Sequence, residues 1–139
     1  MNLELARRIV AGALAYSADA GYKPLAVVVL DAGGHVVAAE REDRASNKRF
    51  EVAHGKAAGA LAFGMGSRAL MGRAESQPYF IAAVTHAVGA LVPVPGGVLV
   101  RDKDGKLLGA VGISGDTSDN DEAAAVAGIE GAALVPQCD

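Results

Sequence analysis

Aromatic side chains are scarce in this chain, with three phenylalanines, three tyrosines and no tryptophan among 139 residues. So few rings leave little surface with which to line a deep ligand cavity. Cysteine is rarer still. Cys138 stands alone beside the C-terminus, which excludes an intrachain disulfide and a thiolate metal cage and makes a reducing compartment the default. No stretch approaches the ~18 consecutive apolar residues of a membrane span. The N-terminal segment carries Glu4, Arg7 and Arg8 where a signal peptide would have an apolar block, so a cytoplasmic protein is expected. No basic block occurs among the 13 basic and 16 acidic residues (net charge −3), and nucleic-acid binding is not expected.

Several catalytic signatures are also missing. Neither GxGxxG nor the P-loop spacing occurs, and the acidic residues lack EF-hand spacing. Gly112-Ile-Ser-Gly-Asp resembles part of a nucleophile elbow, but its second glycine follows Ser114 directly instead of two residues on.

What the chain has is small apolar residues: it is 51% hydrophobic and contains 18 glycines. Its length fits one domain with a single core. So much alanine and valine in a small chain favours completing burial against further copies, so a homo-oligomer is expected.

Helical spacing over 3–20 gathers Ala6, Ile9, Val10, Ala13, Leu14 and Tyr16, with Asn2 as the cap and Gly21 as the stop. LAVVVL (25–30) reads as a strand buried on both faces, Asp31–Gly34 as a turn, and 35–40 as the returning strand. A helix over 46–63 puts Phe50, Ala53, His54, Ala57 and Leu61 on one stripe, leaving Gly55, Gly59 and Ala62 for close backbone packing. Ser67 caps a short helix through about Ala74, Pro78 begins another to about Thr85, and Val88–Val92 reads as a strand. Val98–Arg101 and Leu107–Ser114 form a hairpin across Asp102–Gly105. A last helix runs from about Ser118 to Ala133, with Thr117 or Ser118 as its cap. This order predicts an α+β fold, a mostly antiparallel five-stranded sheet with helices packed against it.

With the elements placed, four segments carry a resemblance. They are AVVVLDAGGHVVAAERED (26–43), HGKAAGAL (54–61), PVPGGVLV (93–100) and GAVGISGDTSDNDEAAAVAG (109–128). Together and in this order they resemble the GlcG/HbpS-type haem-binding family, whose relatives include the C-terminal domain of PduO-type proteins. The resemblance implies a profilin-like domain, assembly into dimers that build larger rings, and an association with haem or with operons for uptake and degradation of small molecules. It also implies a lysine in the second helix, matched here by Lys56. No axial ligand carries over, because no histidine or methionine stands in a motif shared by the whole family.

The candidate residues each admit a functional and a structural reading. His54 beside Phe50, Ala57 and Leu61 could ligate haem iron, with Arg49 and Lys56 as nearby cations, or could be a core histidine bonded to a carbonyl. Lys56 among small residues could act as a base or hold a carboxylate, or could snorkel to solvent. Arg44 or Arg49 could clamp a carboxylate, although charged runs such as 41–44 are commonly solvated loops. Gly96, Gly97, Ser114 and Asp116 would gather at one end of the sheet. There they would either offer amides to an anion or carbonyl, or bend the chain and cap the last helix. His35 reads as an exposed strand residue, and His86, on a helix ending near Gly89, as a partner of the helix-end carbonyls.

Three functions follow. The first is a small-molecule-binding protein, with haem implied by the resemblance and held at a surface or intersubunit site. The second is a small catabolic enzyme (isomerase, tautomerase or hydrolase) acting on a carboxylate-bearing metabolite, with Lys56 or His54 moving the proton. The third is a structural oligomer subunit without chemistry.

Overall fold

The computed structural model describes residues Met1–Asp139. Helix α1 (Leu3–Ala20) starts where the Asn2 side chain accepts the Leu5 amide at 2.8 Å. It ends at Gly21, whose left-handed φ of 71° returns its own amide to the last turn. Strand β1 (Ala26–Asp31) turns into β2 (Val36–Arg41) around Asp31, whose carboxylate accepts the Gly33 and His35 amides. Helix α2 (Arg49–Phe63) follows, then α3 (Ser67–Ser76) and α4 (Pro78–Val88). Strands β3 (Gly97–Arg101) and β4 (Leu107–Ser114), helix α5 (Ser118–Gly131) and a short β5 (Val135–Gln137) complete the chain.

The five strands lie in the order β2-β1-β4-β3-β5, and every neighbouring pair is antiparallel. The α+β expectation is met. β1 occupies an inner position and is covered on both faces, hence its continuous apolar run. One face of the sheet presents Val27, Val29, Val98, Val100, Val111 and Ile113 to α1 and α5. The other presents Ala26, Val28, Leu30, Leu99 and Ala110 to Ala53, Ala57 and Ala60 of α2. Alanine on both sides of that second contact brings the helix close to the strands, which sets the stage for what α2 buries. No helix is long and apolar enough to cross a membrane.

Three local expectations need correction. Val88–Val92 is not a strand: α4 runs through Val88, and the segment beyond lays Leu91 and Val92 over α2. A β-carbon at Gly55 or Gly59 would come within 2.6 Å of those two side chains, so the glycines do accept close packing, but from a loop. The fifth strand is β5, which a three-residue segment containing Pro136 does not announce. Ser67 does not cap α3; its hydroxyl instead accepts the Gly97 amide at 2.7 Å, tying the start of α3 to the start of β3.

Candidate functional site

α2 crosses the sheet with Lys56 on its inner face, one turn from Ala53 and Ala60, and this lysine is only 2% exposed. A buried ammonium needs a full set of acceptors. Its Nζ donates to Asp121 Oδ2 and to the Ile113 carbonyl, both at 2.9 Å. Asp121 lies in the first turn of α5 and is equally buried, and its other oxygen accepts the Asp116 amide at 3.0 Å. One buried ion pair therefore joins α2, the end of β4, the 114–117 loop and the start of α5. Burial pushes the Lys56 ammonium below the usual lysine range and the Asp121 carboxyl above the usual aspartate range, while their mutual hydrogen bond opposes both shifts.

Gly96 closes this pair from above. Its φ of 119° suits glycine alone, and a β-carbon there would sit 2.9 Å from Lys56 Nζ and 2.8 Å from the Ile113 carbonyl oxygen. Gly97 lies against the Lys56 backbone, and its amide is committed to Ser67. The Gly96 carbonyl accepts the Ile113 amide at 2.9 Å. The bent glycine segment and the lysine do meet, as the sequence suggests. They meet as lid and contents, and Nζ has no open path to a ligand in this conformation.

The other singled-out residues sit on the far side of the same loop. Arg49 opens α2 and donates to Ser114 Oγ at 3.2 Å. Asp116 accepts the Lys23 amide at 2.7 Å with one oxygen, and the Thr117 amide and Asn120 side chain with the other. These bonds, the one from Lys23 first, hold its carboxyl below the usual aspartate range. A cleft of about 220 Å³ opens beside Gly115, with Lys23, Arg44 and Arg49 in its walls. A second cleft of about 240 Å³ lies between the β1–β2 turn and Ala58, Leu61 and Ala62 of α2.

His54 faces away from all of these. It is half-buried on the outer side of α2, its ring stacked on Phe50 at 6.0 Å between centroids and 24° between planes. The stripe read along α2 is thus divided: Ala53 and Ala57 point into the core and Leu61 packs against its edge, while Phe50 and His54 border solvent. His35 is exposed and pairs with Asp31, and His86 is exposed in the last turn of α4.

Sequence reasoning did not single out Asp121 as the lysine's partner, nor Arg68. Arg68 on α3 donates to Glu122 at 2.9 Å and to Asp119, clamping α3 onto the start of α5. Glu122 Oε2 is the one buried side-chain polar atom without a partner. A lysine on a face otherwise made of alanine and glycine was the available signal, since such a residue requires a buried acid somewhere in the chain.

The arrangement defines a three-layered α+β domain whose polar centre is sealed and whose open polar surface lies at the 114–117 loop. The model of the family described as "Haem degrading protein HbpS-like" matches residues 1–130, and the chain belongs to this HbpS-like family. Among solved structures, the fold is similar to that of a PduOC:haem complex. The TM-score is 0.86 at 24% identity, covering 97% of this chain and 96% of that one. It is similar to HbpS, with a TM-score of 0.79 at 25% identity over 92% and 86% of the two chains. It is also similar to the Klebsiella pneumoniae protein ORFY, with a TM-score of 0.84 at 21% identity over 96% and 90%. Comparison by sequence with curated proteins gives no match.

Proposed function

We propose that this chain is a haem-binding protein that holds the macrocycle at its surface or between two copies, in the service of uptake or catabolism. Membership of the HbpS-like family supports the ligand, and the PduOC neighbour was solved with haem. The observation that carries the location is one of size. The two clefts measure about 240 and 220 Å³, below the ~300 Å³ at which enclosed small-molecule pockets begin. Neither cleft is large enough to enclose the macrocycle, which supports a haem lying on an outer face or between copies. His54 fits the iron best of the three histidines, because it alone combines partial exposure with an aromatic neighbour and flanking apolar surface. When bound, haem would supply the redox and axial-ligand chemistry. The chain's own part is to present the imidazole nitrogen of His54, to shield one ring face with Phe50, and to hold α2 rigid through the Lys56–Asp121 pair beneath.

The homo-oligomer belongs to the same reading. α4 contains no Asp, Glu, Lys or Arg and buries none of its eleven residues, with Tyr79 70% exposed and Val88 38% exposed. A helix this apolar and uncovered is best matched by the same face of a second copy. The single cysteine is consistent with a cytoplasmic home.

Titration with hemin tests the ligand. The expected result is a saturable Soret band in the wild type, lost or shifted in His54→Ala and retained in His35→Ala and His86→Ala. Absorbance that grows without saturation, or that is indifferent to His54, contradicts the reading.

A further inference from the structure

We propose that the cleft beside Gly115 is a binding site for a carboxylate group, gripped by Arg44 and Arg49 with Lys23 at its rim. It goes beyond the haem reading and stands on its own geometry. Three of its lining residues are cationic, and none of their charged side-chain nitrogens has a carboxylate oxygen within 4.0 Å. Like charges gathered around one hollow repel unless an anion joins them.

The carboxylates native to this corner are engaged elsewhere. Asp116 takes the Lys23 amide, Thr117 and Asn120; Asp121 takes Lys56; and Glu42 takes the Leu25 amide at 2.9 Å. Arg49 has only a neutral partner, the Ser114 hydroxyl at 3.2 Å. The result is a cleft with three cationic side chains and no carboxylate among its lining residues.

The backbone is built for the cleft. Arg44 holds a left-handed φ of 68°, a conformation that costs a non-glycine residue energy and that gathers at ligand sites. Gly115 lines the cleft and packs closely on the chain before β1, since a β-carbon there would stand 2.2 Å from the Pro24 carbonyl oxygen. The space, about 220 Å³, equals roughly seven waters at the volume water has in the liquid. That suits a carboxylate with a few further carbons. Asp116, Glu42 and Asp121 close by disfavour a dianion, which is why a carboxylate fits better than phosphate. Two guanidinium groups can take its oxygens in forked pairs.

The carboxylate could come from a free small acid or from a haem propionate, and two arms of one experiment separate them. In the first, the ¹H–¹⁵N NMR spectrum of the wild type is followed at low salt while acetate, propionate or inorganic phosphate is added. Saturable shifts centred on the Arg44 and Gly115 amides with a carboxylate are expected. They should weaken about tenfold or more in Arg44→Gly, which keeps the backbone conformation, and in Arg49→Gln. In the second arm, hemin is compared with its dimethyl ester. A loss of affinity on esterification that disappears in Arg44→Gly identifies the propionate as the occupant. No carboxylate binding in either arm, preference for phosphate, or binding indifferent to both substitutions overturns the proposal. The haem reading fails separately, through His54→Ala.

Discussion

Removing the Lys56 ammonium is the perturbation that probes this fold most sharply. Lys56→Met preserves the length and most of the volume of the side chain but deletes the partner of Asp121 and the donor to the Ile113 carbonyl. Both abandoned oxygens are buried beneath Gly96. Breaking one side of a buried ion pair costs about 3–5 kcal/mol, because the remaining charge has no compensation. Against a total stability of about 5–15 kcal/mol that is a large share. For a chain of this length it corresponds to a fall in Tm of roughly 10–20 °C. The double variant Lys56→Met with Asp121→Asn removes both charges while keeping an oxygen for the Asp116 amide. It should therefore be more stable than Lys56→Met alone, with a coupling energy of about 2 kcal/mol or more. Urea denaturation followed by far-ultraviolet circular dichroism of the four proteins gives the cycle. If Lys56→Met lies within about 1 kcal/mol of the wild type, or the two single effects simply add, the buried pair is not the centre described.

The remaining predictions concern its surroundings. Gly96→Ala should destabilise by about 1–3 kcal/mol or more, since it combines a left-handed strain with a β-carbon pressed onto Nζ and a carbonyl oxygen; unfolding midpoints check this, and an unaltered midpoint refutes it. Asp116→Asn should lower stability at neutral pH. The wild-type carboxyl titrates below its unfolded value, so its contribution is complete above the unfolded pKa of about 4 and is lost as pH falls through the folded one. Urea midpoints of the two proteins should therefore converge on acidification, and a gap constant with pH contradicts this. Tyr79→Asp, on the uncovered α4, should shift the protein towards monomer in light-scattering chromatography with its circular dichroism unaltered; an unchanged mass removes α4 from the interface.

Most of the fold was legible because its signals are local. Asn2 and Gly21 fix both ends of α1 by capping chemistry, and β1 declares its double burial by having no polar position between Ala26 and Leu30. Val88–Val92 misled because a valine-flanked run fits strand and helix end alike, and its role depends on two glycines more than thirty residues earlier in the chain. β5 has too few residues for any periodicity and exists through its pairing with β3. At the site, Arg44, Arg49, Ser114 and Asp116 do gather at the 114–117 loop, and Gly96 and Gly97 do meet Lys56. The division of these residues into a sealed pair and an open cleft was not legible. It arises from the contact between Lys56 and Asp121, sixty-five residues apart. His54 shared a stripe with Ala53 and Ala57 on paper, yet the close α2–sheet packing takes only the alanines inside.

The claim that haem sits on an outer face through His54 is tested most directly by electron paramagnetic resonance of the ferric haem-loaded protein. The wild type should show the signature of an imidazole-ligated iron, and His54→Ala should lose it while remaining folded. Identical spectra from the two proteins would contradict the account.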